Sequence, residues 1–412
     1  MTVLIAGGGI GGLTAALMLH ARGIRATVFE QADTIRELGV GINTLPQAIA
    51  ELAELGLLPA LDAVAIRTHE LHYLNRHGQE VWRETRGMHA GHPVPQFSIH
   101  RGRLQAVIRD AVTDRLGAEA IRTGHRLAGW DEDAGGVTAT FTDRTGATIA
   151  RERGEVLVGA DGIHSVVRAT LFPTEGPPRW NGLMLWRGAR DWPVFLDGCS
   201  MIVAGGLAGK TVAYPIAEGE TPDTRLTNWA VIGRIGDAGT APPRREDWSR
   251  VGRWDDLAPH VSGFRIGAID VQALMRATDP FWEYPMCDRD PLPWWSRGRV
   301  TLMGDAAHPM YPVGSNGASQ AILDARALAD SLAATDQPRA GLAAYEHRRL
   351  QPTGTIVQAN RQGGPEGVID AVEALAPEGF TDVDAVLPRA EREAIVRGRA
   401  GAAGLRNPYL QP

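Results

Sequence analysis

Three glycine-rich stretches hold the residues whose types and spacing could do chemistry. The first is Gly7-x-Gly9-x-x-Gly12, after the apolar run "TVLIA" and at the start of "IGGLTAALMLHARG". A glycine triplet between a buried strand and a helix is a dinucleotide-binding fingerprint. Gly7 permits the tight turn, Gly9 lets a pyrophosphate approach the backbone, and Gly12 lets helix and strand pack closely. The helix opening at Ile10 and Gly11 offers free N–H groups and a positive dipole end to phosphate. Glu30, followed by Gln31, ends the next strand "RATVFE". A carboxylate there can accept from both ribose hydroxyls of an adenosine and would repel a 2′-phosphate. The alternative is a βα turn without a ligand. The fingerprint does not distinguish a nicotinamide dehydrogenase from a flavin enzyme.

The second stretch is "VGADGIHSVVR", where Asp161-Gly162 follows a strand and Ser165 is placed to cap the helix carrying Arg168. Its plain alternative is a strand-end turn, since Asp-Gly is a common turn pair. The third is "GDAAHPMYPVGSNG". Gly304 allows close approach, and Asp305 at a strand end can bind polyol hydroxyls. Gly314 to Gly317 lead into a helix whose N-terminus can face an anionic ring edge.

The elements that must position these residues read as α/β. Continuous apolar runs at 2–6, 154–159 and 298–303 suit parallel strands buried on both faces. Residues 69–83 look like two strands around a turn at His77-Gly78, and 137–150 like a hairpin. Helices are expected at 46–58, 100–117, 316–334 and 341–362, the last interrupted at Pro352. Residues 179–285 are tryptophan-rich, with runs such as "KTVAYPI" and "TNWAVIG" but few helical periods, as expected of a mainly antiparallel sheet. The expected division is a discontinuous nucleotide-binding domain (1–70, 98–178 and 286–362), a substrate-binding sheet domain (71–97 and 179–285) and a helical or partly disordered tail (363–412).

The bulk numbers exclude other classes. The 412 residues carry a net charge of −6 and no basic run, against a phosphate-bound nucleic acid. Cys199 and Cys287 stand far apart, so neither a metal site nor a redox dithiol is expected. No apolar stretch approaches the ~20 residues that span a bilayer. No basic leader precedes the first apolar run, so a cytoplasmic protein is expected.

Together the three stretches resemble, in order and spacing over roughly residues 1–360, the single-component FAD-dependent aromatic hydroxylases of the para-hydroxybenzoate and salicylate type. "LGVGINTLPQAIAELAELGL", "SIHRGRLQ" and "MYPVGSNGASQAILD" are similar to the phenazine monooxygenase branch. The resemblance implies a Rossmann-like FAD domain of the glutathione-reductase type with an antiparallel substrate domain. It implies FAD held by Gly7, Gly9, Gly12 and Glu30 at its AMP half. Arg36, Gly39, Val40 and Gly41 would pass near the flavin, and Arg101 near the pyrophosphate and ribityl chain. Leu127 would contact adenine through its backbone, and Asp161 would belong to a motif shared between FAD and NAD(P)H. Asp305 would bind the ribityl chain, with Gly314, Ser315, Asn316 and Gly317 beside the isoalloxazine. Ser315 and Val313 stand where the phenazine pattern has Ala and Met, which leaves substrate shape open.

The family's reaction consumes O2 and NADH or NADPH and hydroxylates an electron-rich ring through a flavin C4a-hydroperoxide. Epoxidation, Baeyer–Villiger insertion and dehydrogenation are the alternatives. The expected substrate is an aromatic or N-heteroaromatic phenol or carboxylate, phenazine-like, and the protein a monomer or homodimer. Tyr73, Met184, Trp186, Tyr214, Trp229, Pro312 and Val313 are candidates for a flat apolar pocket, each with ordinary core packing as its alternative. His72, Arg187 and His308 are candidate polar contacts, with His308 read rather as structural.

Overall fold

Apolar runs bounded by glycines become a five-stranded parallel sheet. Its strands, numbered along the chain, are β1 (Thr2–Ala6), β2 (Arg25–Phe29), β8 (Ile121–Arg122), β12 (Val156–Gly159) and β18 (Val300–Leu302), in the order β18-β12-β1-β2-β8. The structure is a computed structural model that describes residues 1–35, 40–206, 209–244 and 250–402. Every pairing in this sheet is parallel. Its strands are buried on both faces, which explains runs without polar alternation. An antiparallel sheet of β9 (Arg126–Glu132), β10 (Val137–Thr142) and β11 (Thr148–Gly154) stands beside it, with a small sheet of β3 (Gly41–Thr44), β4 (Ala65–Arg67) and β7 (Phe97–His100).

The third layer is a seven-stranded sheet. It contains β5 (Glu70–Leu74), β6 (Glu80–Thr85), β13 (Arg179–Pro193), β14 (Met201–Ala204), β15 (Gly209–Glu218), β16 (Thr224–Arg234) and β17 (Trp282–Asp288). Their order is β17-β13-β16-β15-β14-β5-β6, antiparallel except for the β14–β5 pair.

The helices are α1 (Ile10–His20), α2 (Pro46–Glu54), α3 (Leu58–Asp62), α4 (Arg101–Leu116), α5 (Val166–Leu171), α6 (Trp254–Val261), α7 (Val271–Ala277), α8 (Gly317–Ala333), α9 (Pro338–Arg361), α10 (Gly367–Leu375), α11 (Val383–Val386) and α12 (Arg389–Ala402). Helices α1 and α8 touch through small residues. A Cβ on Gly11 would lie 3.2 Å from that of Ala321. The contact brings the N-termini of both helices to one cleft above the C-terminal edge of the parallel sheet. None of the described helices is long and apolar enough to cross a membrane.

Two expectations need correction, and of the two readings of the tail the helical one describes it as far as Ala402. Pro352 does not interrupt its helix: α9 runs unbroken, and the Thr353 hydroxyl donates to the Arg349 carbonyl at 2.8 Å. The region read as poor in helix contains α6 and α7, whose buried Leu257, Val261, Leu274 and Met275 cover one face of the seven-stranded sheet. The segment after residue 362 folds as α10–α12 up to Ala402. Val368, Ile369 and Val372 of α10 are fully buried against the sheet's other face. Arg392 donates to the Leu387 and Val81 carbonyls, tying α12 down. Residues 403–412 lie outside the described residues.

Candidate active site

The glycine turn separates packing from ligand space. Gly7 has φ +115°, and a Cβ there would lie 2.2 Å from the Ala160 carbonyl oxygen. A Cβ on Gly12 would come within 2.0 Å of the Gly7 carbonyl oxygen. Gly9 differs: its backbone is extended, and a Cβ would meet nothing within 4 Å. The protein therefore needs Gly7 and Gly12 for its own packing, while the space beside Gly9 is open to a guest. Helix α1 starts from Gly9 with no side-chain cap and no acid in its first turn, and so does α8 from Asn316. Elsewhere α5 and α7 are capped by Ser165 and Asp270. The N-termini of α1 and α8 thus keep their first-turn amides free of any side-chain cap where they meet beside Gly11 and Ala321.

Around the turn, Glu30 accepts from the Gly8 amide at 2.8 Å and the Ala32 amide at 2.9 Å, fixing its carboxylate at the end of β2. Gln31 is exposed and Ile10 buried. The Leu127 side chain belongs to the core. Two residues earlier, the His125 amide donates to the Glu30 carbonyl at 2.8 Å. Gln105, which carried no sequence signal, donates to the Gly8 carbonyl at 2.7 Å and sets the turn from α4.

Asp161 is committed to its own helix. Its carboxylate accepts from the Ser165 hydroxyl and from the Val166 amide at 2.7 Å. Burial raises its pKa, and these hydrogen bonds oppose the rise. Ser165 in turn accepts from the Arg168 amide at 2.9 Å. The buried Arg168 guanidinium pairs with Glu175 and donates to the carbonyls of Ala306 at 3.1 Å and Ala307 at 2.7 Å. The second motif thus braces the third.

Asp324 on α8 completes that brace. Its carboxylate accepts from the Gly304 amide at 3.0 Å, from His308 Nε2 at 2.6 Å and from Arg349 Nε at 2.7 Å. Burial pushes its pKa up, but His308 and Arg349 outweigh burial and bring it down to about 2. His308 is therefore a structural partner, as read from sequence. The neighbouring Asp305 is left pointing at the cleft, without a hydrogen-bond or ion-pair partner among the described residues. Arg101, at the start of α4, is open to the same cleft and likewise unpartnered. Burial raises the pKa of Asp305 against the pull of His308 and Arg101, and lowers that of Arg101 against the pull of Asp305. Two opposite charges thus face one cleft without being spent on each other.

The segment entering β3 is clamped from the seven-stranded sheet. The Gly41 amide donates to Asn228 Oδ1 at 2.8 Å, and its carbonyl accepts from the Tyr214 hydroxyl at 2.9 Å and from Arg187. Arg187 also donates to the Tyr284 hydroxyl at 3.0 Å. A Cβ on Gly41 would lie 2.6 Å from Ile216, so only glycine fits. The Val40 carbonyl accepts from the Arg101 amide at 3.0 Å. Arg36 and Gly39 lie outside the described residues.

The sheet face behind this clamp carries Leu183, Leu185, Ile232, Tyr284 and Met286, packed with Tyr311 and Val313 of the glycine loop. Pro312 is exposed beside them, and Ser315 adopts a left-handed φ of +59°. Not all the aromatic candidates join this face. Strand alternation turns Met184, Trp186 and Trp229 to the opposite face, under α6 and α7. There the indole N–H of Trp186 donates to Glu283 and that of Trp229 to Thr278. The pleat thus overturns their assignment to the pocket. Tyr73 lies among residues packed on α10 and donates to Glu84, while His72 contacts Glu70.

The residues fit a dinucleotide cofactor: the adjoining N-termini of α1 and α8, open space at Gly9, and Asp305 and Arg101 without hydrogen-bond partners among the described residues. Residues 1–184 and 289–360 match a family model described as the FAD binding domain. The chain belongs to the FAD-dependent aromatic hydroxylases. It is a flavoprotein monooxygenase with FAD as cofactor and NAD(P)H as cosubstrate. It is 46% identical over 364 residues, 87% of this chain and 89% of the other, to phenazine 1,6-dicarboxylic acid hydroxylase of Lysobacter antibioticus. It is 30% identical to 3-hydroxybenzoate 6-hydroxylase 1 of Aquipseudomonas alcaligenes, over 87% of each chain. Among solved structures, HpxO of Klebsiella pneumoniae complexed with FAD and uric acid shares the fold at TM-score 0.74 and 23% identity, covering 98% of this chain and 97% of that one.

Proposed function

We propose that the protein hydroxylates a flat N-heteroaromatic carboxylate of phenazine-like size, with FAD seated between the N-termini of α1 and α8. The observation that carries this reading is the cleft itself, where Asp305 and Arg101 have no hydrogen-bond or ion-pair partner among the described residues beside an apolar sheet face. The 46% identity to a phenazine dicarboxylate hydroxylase supports the substrate class.

When bound, the flavin takes reducing equivalents from NAD(P)H and activates O2. The chain supplies the rest. The turn at Gly7–Gly12 and the amides at Ile10 and Gly11 would receive the pyrophosphate. Glu30 and Gln31 would take the adenosine ribose, the Leu127 backbone adenine, and Asp305 the ribityl hydroxyls. Arg101 would neutralise phosphate charge, beside the segment that includes Val40 and Gly41. The amides from Gly314 to Gly317 would stabilise negative charge at the ring's pyrimidine edge. The face from Leu183 to Val313 excludes water and orients the substrate ring. Residues 1–70, 98–178 and 286–362 serve the cofactor, and 71–97 with 179–285 the substrate. The protein works in the cytoplasm as a monomer or homodimer.

The overall change is substrate, O2, NAD(P)H and a proton giving hydroxylated product, water and NAD(P)+. The test is to incubate the FAD-loaded protein with NADH or NADPH and a panel of phenazine carboxylates and hydroxybenzoates. Ring-dependent NAD(P)H consumption with a product one oxygen heavier is expected. No response to any ring compound would end the reading.

A further inference from the structure

We infer that Lys210 recognises an acidic group on the aromatic substrate, with Glu366 holding its ammonium when the pocket is empty; this rests on the hydroxylation proposed above. The apolar face ends in a small cavity walled by Leu183, Ile232, Met286, Tyr311 and Val313. Lys210 on β15 lies in that wall, only 4% exposed, its Nζ bonded to the Glu366 carboxylate. A buried ion pair is a poor device for stability, because apolar replacements of similar volume are often neutral or better. A lysine in a mostly apolar wall therefore calls for another explanation.

Three observations point to a ligand. First, an ammonium has three donors, and Glu366 is the only acceptor bonded to this one among the described residues. Second, Glu366 also interacts electrostatically with the partly buried Arg86, so it keeps a cation nearby when Lys210 turns away. Third, Asn360 lines the same cavity. Its amide nitrogen donates to the Tyr311 carbonyl at 3.1 Å, while its buried Oδ1 has no partner among the described residues. That oxygen suits a ring N–H or hydroxyl of a bound molecule. The other cation in the wall, Arg361, is held by both oxygens of Asp288 and by Asp290, which leaves Lys210 as the available charge. One cation and one free acceptor at the end of an apolar slot match a planar heteroaromatic carboxylate.

The test compares phenazine-1-carboxylate with uncharged phenazine, by fluorescence titration of the FAD-loaded protein and by KM. Lys210→Met should weaken binding of the carboxylate about tenfold to a hundredfold and leave the uncharged ring nearly unchanged. Lys210→Arg should recover part of the loss. Glu366→Gln should move the carboxylate the other way, towards tighter binding, by freeing the ammonium. FAD content and unfolding temperature confirm that each variant is folded. Equal effects on both rings, or none on either, would overturn the role of Lys210 while leaving hydroxylation intact. A parent enzyme that hydroxylates neither ring would instead remove the functional reading beneath it.

Discussion

At the scale of single residues, the cleft depends on aspartates doing opposite jobs. Asp324 is spent on Gly304, His308 and Arg349, and so aims its neighbour Asp305 outward. Asp305→Ala should weaken FAD binding by about 1.5–3 kcal/mol, the worth of a charged hydrogen bond, or about tenfold to a hundredfold. Flavin fluorescence titration measures this, and an unchanged dissociation constant would refute the assignment. Asp324 makes a prediction about pH. Its folded pKa of about 2 lies below the ordinary 3.8, so its contribution is complete above pH 4 and is lost as pH falls towards 2. That shift is worth about 2 kcal/mol. Asp324→Asn should therefore lower the unfolding temperature at pH 7, with a gap to the parent that narrows on acidification below pH 4. Identical melting curves at pH 7 would contradict it. Asp305 was legible in sequence because it sits in a dense motif. Asp324, Arg349, Gln105 and Asn228 were not, because a single polar residue in a helix or strand has no pattern to announce its partner.

At the scale of elements, the N-termini of α1 and α8 and the pleat decide what faces the cleft. The glycines of the first turn separate cleanly. Gly12→Ala should destabilise the fold by more than about 3 kcal/mol, since the clash is with backbone that cannot give way. Gly9→Ala should fold with a melting temperature near that of the parent apoprotein and still lose FAD affinity, because its Cβ enters only ligand space. Thermal melts paired with FAD titration distinguish the two. Equal stability loss in both would contradict the division. The triplet was readable because strand, turn and helix fall in register. The sheet was readable as a sheet, but its facing was not. Moving one residue along a strand exchanges faces, so Leu183 and Leu185 line the pocket side while Met184 and Trp186 support the back. Composition draws attention to the tryptophans; the register selects the leucines.

At the scale of the whole molecule, the cofactor cleft, the substrate sheet and the C-terminal helices form a chain of dependence. The parallel sheet presents two helix N-termini, the seven-stranded sheet clamps Gly41 through Arg187, Tyr214 and Asn228, and α10 seals the sheet's outer end. The closing role of the last segment was hidden in sequence by its Gly-, Ala- and Pro-rich composition. Its few apolar residues, Val368, Ile369 and Val372, gain their weight from the sheet they cover. Ending the chain at residue 362 should bare that apolar face and produce aggregation visible by size-exclusion chromatography. A monodisperse product with parental substrate affinity would contradict the seal. The most direct test of the central claim is to run the reaction with phenazine-1-carboxylate and NAD(P)H under 18O2 and weigh the product. The expected product carries one 18O on the ring. A product without the label, or one that has only lost hydrogen, would contradict monooxygenation.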